Sequence, residues 1–194
     1  MGIVLASGSP RRRELLDLIG IEGYKIIADD SEENVPVGLA PEQTVSEIAL
    51  QKAKNVSRFC GDDDIIIAAD TLVYLDGNPL GKPENPEGAE AMLRKLSGRR
   101  HAVFTGVVLL KGLRIKTDVV KTEVVFREIS DGEISAYVKS GEPMDKAGAY
   151  GAQGRGSIFI ERIEGEFFNV MGMPLCRLSM MLREFGVCLP VNVV

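Results

Sequence analysis

The sequence predicts an α/β fold with a mixed sheet and flanking helices. Three observations lead there. Helical and strand patterning mix along the whole chain. The run IIIAADTLVYL, Ile65 to Leu75, is nearly all apolar on both faces, as a central buried strand is. Two long runs, Ala102 to Lys111 and Arg114 to Phe126, flank Gly112-Leu113 and read as a hairpin. With 194 residues, 45% of them hydrophobic, the chain can bury the core of one sizeable domain or of two small lobes. No internal repeat or low-complexity segment occurs, and composition marks no boundary. The whole of 1–194 is therefore read as a single domain.

Ile3 to Ala6 is a short buried strand. Ser9 suits an N-cap and Pro10 the first helical position, and Arg11 to Ile19 continue with leucines at helical spacing until Gly20. Tyr24 to Ala28 is a second strand. Asp29 to Leu39 is an acidic loop, and Pro41 to Phe59 a long amphipathic helix. Gly61 to Asp64 turns into the Ile65 strand. Asp76-Gly77-Asn78-Pro79 reads as a turn and Gly81-Lys82-Pro83 as a loop. Pro86 to Leu96 is a helix closed by Ser97-Gly98. Ser130 caps a helix running to Val138. A glycine-rich stretch spans Gly148 to Gly156. Ser157 to Ile163 is a strand, and Pro174 to Phe185 the last helix.

The net charge is −5 and the pI about 5.1, so bulk charge does not recruit nucleic acid. Any phosphate must be met by a focused cluster of cations, which draws attention to the arginines at 11–13. The cysteines, Cys60, Cys176 and Cys188, are odd in number and lack CxxC spacing, as expected of reduced thiols in a cytosolic protein. No basic start followed by a long apolar run suggests an export signal, and no segment reaches membrane-spanning length. The single histidine, His101, excludes a multi-histidine metal site, and a Ser-His-Asp hydrolase would rest wholly on it. Its place at the start of an alternating run favours a histidine at a strand edge.

Asp70 is the sharpest chemical clue. A carboxylate inside an apolar strand needs a cation, a metal or a cleft, because a lone buried charge costs several kcal/mol. A buried ion pair and a functional carboxylate both satisfy that demand. Lys52, late in the long helix, and Lys82, between Gly81 and Pro83, are candidate partners. Glu32 and Glu33 follow Asp29 and Asp30 in what is, taken alone, a solvated loop. Carboxylates with nearby lysines suit one Mg²⁺ or Mn²⁺ and a polyphosphate. In SGEPMDKAGAYGAQGRGSIFI, the glycines at 148, 151, 154 and 156 would let backbone approach a ligand, Tyr150 could stack on a base, and Gln153 could read its edge. Neither a P-loop nor a strand-borne GxGxxG occurs.

Together these motifs resemble the Maf family of nucleoside triphosphate pyrophosphatases. The likeness is carried by LASGSPRR, the Glu pair of the acidic loop, ALQKA, AADT, GKPENPEGAEAMLRKLSGRRHAVFTGV, and GEPMDKAGAYGAQGRG through NVMGMPL, in order from about Ile3 to Phe185. The resemblance implies a mixed α/β fold similar to the inosine triphosphate pyrophosphatases, with two lobes around a cleft. It implies hydrolysis of a nucleoside triphosphate to the monophosphate and pyrophosphate with a divalent cation, Mg²⁺ or Mn²⁺. It also implies a cytoplasmic enzyme, often a homodimer, with neither nucleic acid nor membrane as partner.

Matched residue by residue, Ser7, Arg11 and Arg12 fall on the family's phosphate-binding first loop. Glu33, or Glu32 by a one-residue shift, falls on the acidic-loop carboxylate that, with Asp70, is the metal-ligand match. Lys52 falls on the helix lysine, Asp70 on the general base and Lys82 on the lysine of GKP. Arg11, Thr71 and Gln153 occupy positions that distinguish subfamilies by base. Relatives resembling methylated-guanine-triphosphate hydrolases tend to carry Gln after the motif's Asp and Glu in place of Gln153. An acceptor-only glutamate suits the guanine edge, whereas Gln153 can accept from N3–H of uracil or thymine and donate to a ring carbonyl. The resemblance thus implies dTTP and UTP, with modified pyrimidine triphosphates as further candidates. The competing classes are a purine or 7-methyl-GTP pyrophosphatase and a non-catalytic nucleotide-binding regulator of cell division. Arg13, one step round the helix, reads as a surface residue.

Overall fold

The computed structural model describes residues 2–29, 31 and 38–190. In chain order the elements are β1 (Ile3–Leu5), α1 (Pro10–Leu18), β2 (Lys25–Ile26), α2 (Pro41–Ser57), β3 (Ile65–Leu75), β4 (Asn78–Leu80), α3 (Pro86–Leu96), β5 (Arg100–Lys111), β6 (Arg114–Phe126), α4 (Asp131–Lys139), β7 (Ile160–Glu164), α5 (Phe167–Val170) and α6 (Leu175–Glu184). Short 3₁₀ turns cover Glu142–Asp145, Ala147–Ala149 and Arg155–Phe159. The strands form one sheet in the order β2-β1-β3-β5-β6-β7, with β4 on β3. The β1 strand pairs in parallel with β2 and β3, and the β3–β4 and β6–β7 pairs are antiparallel, so the sheet is mixed as expected. Among the described residues no helix is long and apolar enough to cross a membrane.

The chain forms two compact units. The first comprises Met1–Asp70, Thr105–Val120 and Gly172–Val194, and the second Thr71–Phe104 and Lys121–Met171. In the first, Ala49, Ala53 and Val56 on α2 pack with Val4 and Ala6, Ile66 and Ala68, and Val108 and Leu110. Small residues let α2 come close to the sheet. A Cβ on Gly106 would lie 2.5 Å from the carbonyl oxygen of Val45, so β5 meets the helix backbone where only glycine fits. In the second, Val73, Leu93, Leu96, Val124, Phe126, Ile134, Tyr137 and Phe159 share one apolar cluster.

The α3 helix starts where sequence places it, because Asn85 accepts a hydrogen bond from the Gly88 N–H at 2.7 Å. Replacing Asn85 with Ala is expected to lower the unfolding free energy by about 1 kcal/mol, read as a lower Tm. Ser130 caps α4 reciprocally with Glu133, as Ser-x-x-Glu dictates. Ser9 differs: it stands at the cap of α1 in extended conformation, but its side chain makes no capping bond.

Three strand boundaries depart from expectation. The second strand shortens to Lys25–Ile26, both exposed. The turn read over Asp76 to Pro79 is only Asp76-Gly77, with φ of 52° and 78°, the left-handed pair that a tight hairpin requires. Asn78 and Pro79 belong to β4 and oppose Leu75 and Tyr74. Pro79 is tolerated because β4 is short and exposed there. Residues 155–159 form a 3₁₀ turn, and the strand begins only at Ile160.

Candidate active site

In the first unit β1 runs through Ala6-Ser7-Gly8-Ser9 into α1. Ser7 is buried, and its hydroxyl accepts from the Ser9 N–H at 3.2 Å and from Arg12 Nη1 at 3.1 Å. Arg12 Nε donates to the Gly172 carbonyl at 2.9 Å, so a distant loop also fixes this guanidinium. Gly8 is exposed with no left-handed φ, and an added Cβ would meet only Ala28, at an ordinary 3.5 Å. Packing therefore does not demand glycine there. What its absent side chain provides is open backbone at the positive end of a helix whose first turn carries Arg11 and Arg12. Backbone N–H groups and the positive end of a helix dipole are the chemistry that can meet an anion. Arg13, expected at the surface, is half-buried with an enclosed Nε, and its carbonyl accepts from the Tyr24 hydroxyl.

Asp70 and Lys52 meet as the sequence suggested. Lys52 Nζ lies 2.6 Å from Asp70 Oδ1, with 16% and 11% of the two side chains exposed. One turn later on α2, Asn55 Nδ2 donates to Asp29 Oδ2 at 3.1 Å and to Ser31 Oγ at 2.8 Å. Burial opposes ionisation of Asp29, but hydrogen bonds from Ser31 and Asn55 and the charge of Lys52 outweigh it and hold its pKa below the ordinary value. The start of the acidic loop is thus tied to α2. Glu32 and Glu33 lie outside the described residues.

In the second unit, Thr71 directly follows Asp70 on β3 and is half-buried. Lys82 is exposed, beside a buried Pro83 that anchors its loop. The Gly81 carbonyl accepts from the Gly148 N–H at 3.1 Å, which ties the lysine loop to the glycine-rich segment. Gly148 has φ of 69° against the Val73 side chain and admits no other residue without strain. Gln153 is exposed, while its neighbours Gly151 and Ala152 are buried.

Two expectations for this segment are overturned. Tyr150 is not a stacking platform for a base. It is 5% exposed, its hydroxyl shares a 2.8 Å hydrogen bond with His101 Nε2, and Phe126 and His101 meet it edge-on. Gly151 and Gly154 do not open backbone to a ligand either, because the space a Cβ would take is filled by the Glu142 carboxylate and, at Gly151, by Lys146. His101 sits at the start of a strand, as the second residue of β5. It lies buried in β5, and burial pushes its pKa down to about 4, so it is neutral at pH 7.

Among the described residues no three His, Cys, Asp or Glu side chains cluster around a metal position. Asp70 is the buried carboxylate of the described chain, with one oxygen on Lys52. Mg²⁺ is commonly held by one or two carboxylates together with substrate phosphates. Asp70, a buried carboxylate with one oxygen on Lys52, is of the type that can ligate such an ion.

A mixed sheet with flanking helices places the chain in a known architectural class. The Ham1 protein of Staphylococcus aureus matches 96% of the chain and 100% of its own with a TM-score of 0.53 at 18% identity. A HAM1 protein from Coxiella burnetii matches 95% and 99% with the same TM-score of 0.53 at 19% identity. The fold is thus that of the Ham1 proteins. The Maf-like protein family model matches residues 2–185. A protein of Bacillus cereus named dTTP/UTP pyrophosphatase is 45% identical over 185 residues, 95% of this chain and 96% of its own. The chain belongs to the Maf-like family.

Proposed function

We propose that the protein is a nucleoside triphosphate pyrophosphatase that cleaves dTTP and UTP to the nucleoside monophosphate and pyrophosphate. The observation that carries this reading is the pairing of Lys52 on α2 with Asp70 on β3, in a chain 45% identical to an enzyme of that name. A phosphate grip alone would serve a regulator equally well. A buried carboxylate held against a lysine adds a base beside a charge-neutralising cation.

In this mechanism the Gly8 backbone, Ser7, Arg11 and Arg12 bind the phosphates. Asp70 accepts a proton from the water that attacks the α-phosphorus. Lys52 fixes the Asp70 carboxylate through its 2.6 Å contact to Oδ1, and with Lys82 and the arginines it neutralises charge on the leaving pyrophosphate. Positioned charge and one base suffice, with no covalent intermediate. Asp70, with Glu33 as the second matching carboxylate, would hold a divalent cation, Mg²⁺ or Mn²⁺. When bound, the ion supplies Lewis-acid stabilisation of phosphoryl oxygens. A cytoplasmic location and a homodimer accompany the same family reading.

Selectivity for pyrimidines is assigned to Gln153, with Arg11 and Thr71 at the other subfamily-distinguishing positions. Exposed at the turn of its loop, Gln153 offers the acceptor and donors that a uracil or thymine edge requires. Pyrophosphate release with Mn²⁺ across dTTP, UTP, CTP, GTP, ATP and 7-methyl-GTP tests the reading. Release from dTTP and UTP alone is the expected outcome, and no release from any triphosphate would return the protein to the nucleotide-binding regulators. Gln153→Glu is expected to lower kcat/KM for dTTP roughly tenfold, the scale of one lost hydrogen bond. Unchanged dTTP kinetics would remove Gln153 from base recognition.

A further inference from the structure

The segment carrying Gln153 is closed on itself by one carboxylate. Glu142, half-buried, accepts from the Tyr137 hydroxyl at 2.9 Å and from the backbone N–H groups of Arg155 at 2.9 Å and Gly156 at 3.2 Å. The Tyr137 hydroxyl in turn accepts from the Gly151 N–H at 3.0 Å. The backbone is therefore held on both sides of Gln153, at 151 and at 155–156, by a single acceptor network. Gly151 and Gly154 lack side chains where Glu142 sits, and Lys146 Nζ, bonded to the Glu142 carbonyl at 2.7 Å, closes the base of the loop. Tyr137 is fixed from behind by Phe159, whose ring it meets edge-on at 5.1 Å.

Glu142 remains a strong acceptor. Burial alone would raise its pKa, but the Arg155 and Gly156 amides, the Tyr137 hydroxyl and the charge of Lys146 outweigh that effect and hold it low. Three donors converging on one carboxylate are more than turn geometry needs. A single backbone bond from the Gly154 N–H to the Gly151 carbonyl at 3.3 Å spans residue 153, and the Glu142 network adds to it.

We propose that Glu142, through Tyr137 and the amides at 155 and 156, is a positioning residue for pyrimidine selectivity. It presents Gln153 to the base without touching substrate itself. This rests on the assignment of base recognition to Gln153.

The test compares Glu142→Gln, Tyr137→Phe, Gln153→Ala and the Glu142→Gln/Gln153→Ala pair. A glutamine at 142 keeps the size but turns an NH₂ group towards amide donors, and a phenylalanine at 137 keeps the packing and removes the hydroxyl. Each single change in the clamp is expected to lower kcat/KM for dTTP and UTP about tenfold, mostly through KM, as the loss of about one hydrogen bond's worth of order does. Amide exchange at Arg155 and Gly156 should accelerate while β5 and β6 stay protected, a change that a general loss of stability would not confine to the loop. In the Gln153→Ala background Glu142→Gln should add nothing further, because both act through one side chain. An equal further loss in that background overturns the proposal. So does a normal KM for dTTP in both clamp variants while Gln153→Ala is impaired, and that result leaves base recognition by Gln153 standing. Unimpaired Gln153→Ala overturns base recognition itself and the positioning role with it. Should Glu142→Gln fail to fold, Tyr137→Phe carries the same comparison.

Discussion

Asp70→Asn is expected to lower dTTP turnover by about 10³-fold while leaving the protein folded, the scale of removing a general base and disturbing the cation beside it. Asparagine is isosteric, and its amide oxygen can take the place of Oδ1 against Lys52 Nζ. Lys52 keeps a hydrogen-bond acceptor but loses the carboxylate charge at 2.6 Å, with Asp29 still acting on it. With 16% of its side chain exposed it is partly solvated, so the stability cost stays at about 1–3 kcal/mol. The alternative role for the pair, a buried ion pair with no chemistry, predicts a different pattern. Asp70→Asn and Lys52→Met would then both lower Tm and leave kcat near normal. Pyrophosphate release at saturating dTTP, measured with thermal melts of the same samples, separates the two. A fully active, destabilised Asp70→Asn protein would remove Asp70 from the base role.

His101 should make the fold sensitive to mild acid. Its pKa is 6.5 in an unfolded chain and about 4 in the folded protein, the depression coming from burial. Between those values the unfolded chain binds the proton and the folded protein does not. Stability from the neutral imidazole is therefore complete above pH 6.5 and declines as pH falls towards about 4. The full loss is about 3 kcal/mol from this one side chain. Carboxylates whose pKa values are depressed, such as Asp29 and Glu142, also lose stability in acid, but they do so equally in a His101 variant. Urea unfolding of the native protein and of His101→Gln across this window isolates the histidine. The native midpoint should fall more steeply with pH, and parallel decline of the two would show that His101 is not held neutral by burial. Glutamine is chosen because it can keep the bond to Tyr150.

Much of the fold was legible because its signals are local. Pro10, Pro41 and Pro86 open helices where they stand, Asn85 caps α3 and Ser130 caps α4, and the Ile65 run is apolar enough to be central. The misread β4 shows the limit of a local signal. Asp76-Gly77-Asn78-Pro79 looks like one turn, yet the two left-handed residues complete it and leave Asn78 free to pair. Asp70 and Lys52 could be joined from sequence because a carboxylate in an apolar strand demands a partner. Glu142 could not, since its partners at 155 and 156 are backbone amides, which carry no residue identity. The Gly172 carbonyl that fixes Arg12 is hidden for the same reason, 160 residues away. Tyr150 misled because a tyrosine among glycines looks exposed, whereas these glycines make room for Glu142 and Lys146.

The division of the chain has a consequence for how such an enzyme could diversify. Ser7, Arg11, Arg12, Lys52 and Asp70 belong to the first unit, and Thr71, Lys82 and Gln153 to the second, with the peptide bond between Asp70 and Thr71 among the crossing points. The apolar clusters described for the two units share no residue. Substitutions that retune the loop around Gln153 place their packing strain on the cluster of Phe126, Tyr137 and Phe159. They leave untouched the one that seats the Lys52 helix against β3. On the roles proposed above, changes around Gln153 can alter base preference without repacking the residues that seat the Lys52 helix, although Arg11 and Lys82 keep each function represented on both sides of that bond.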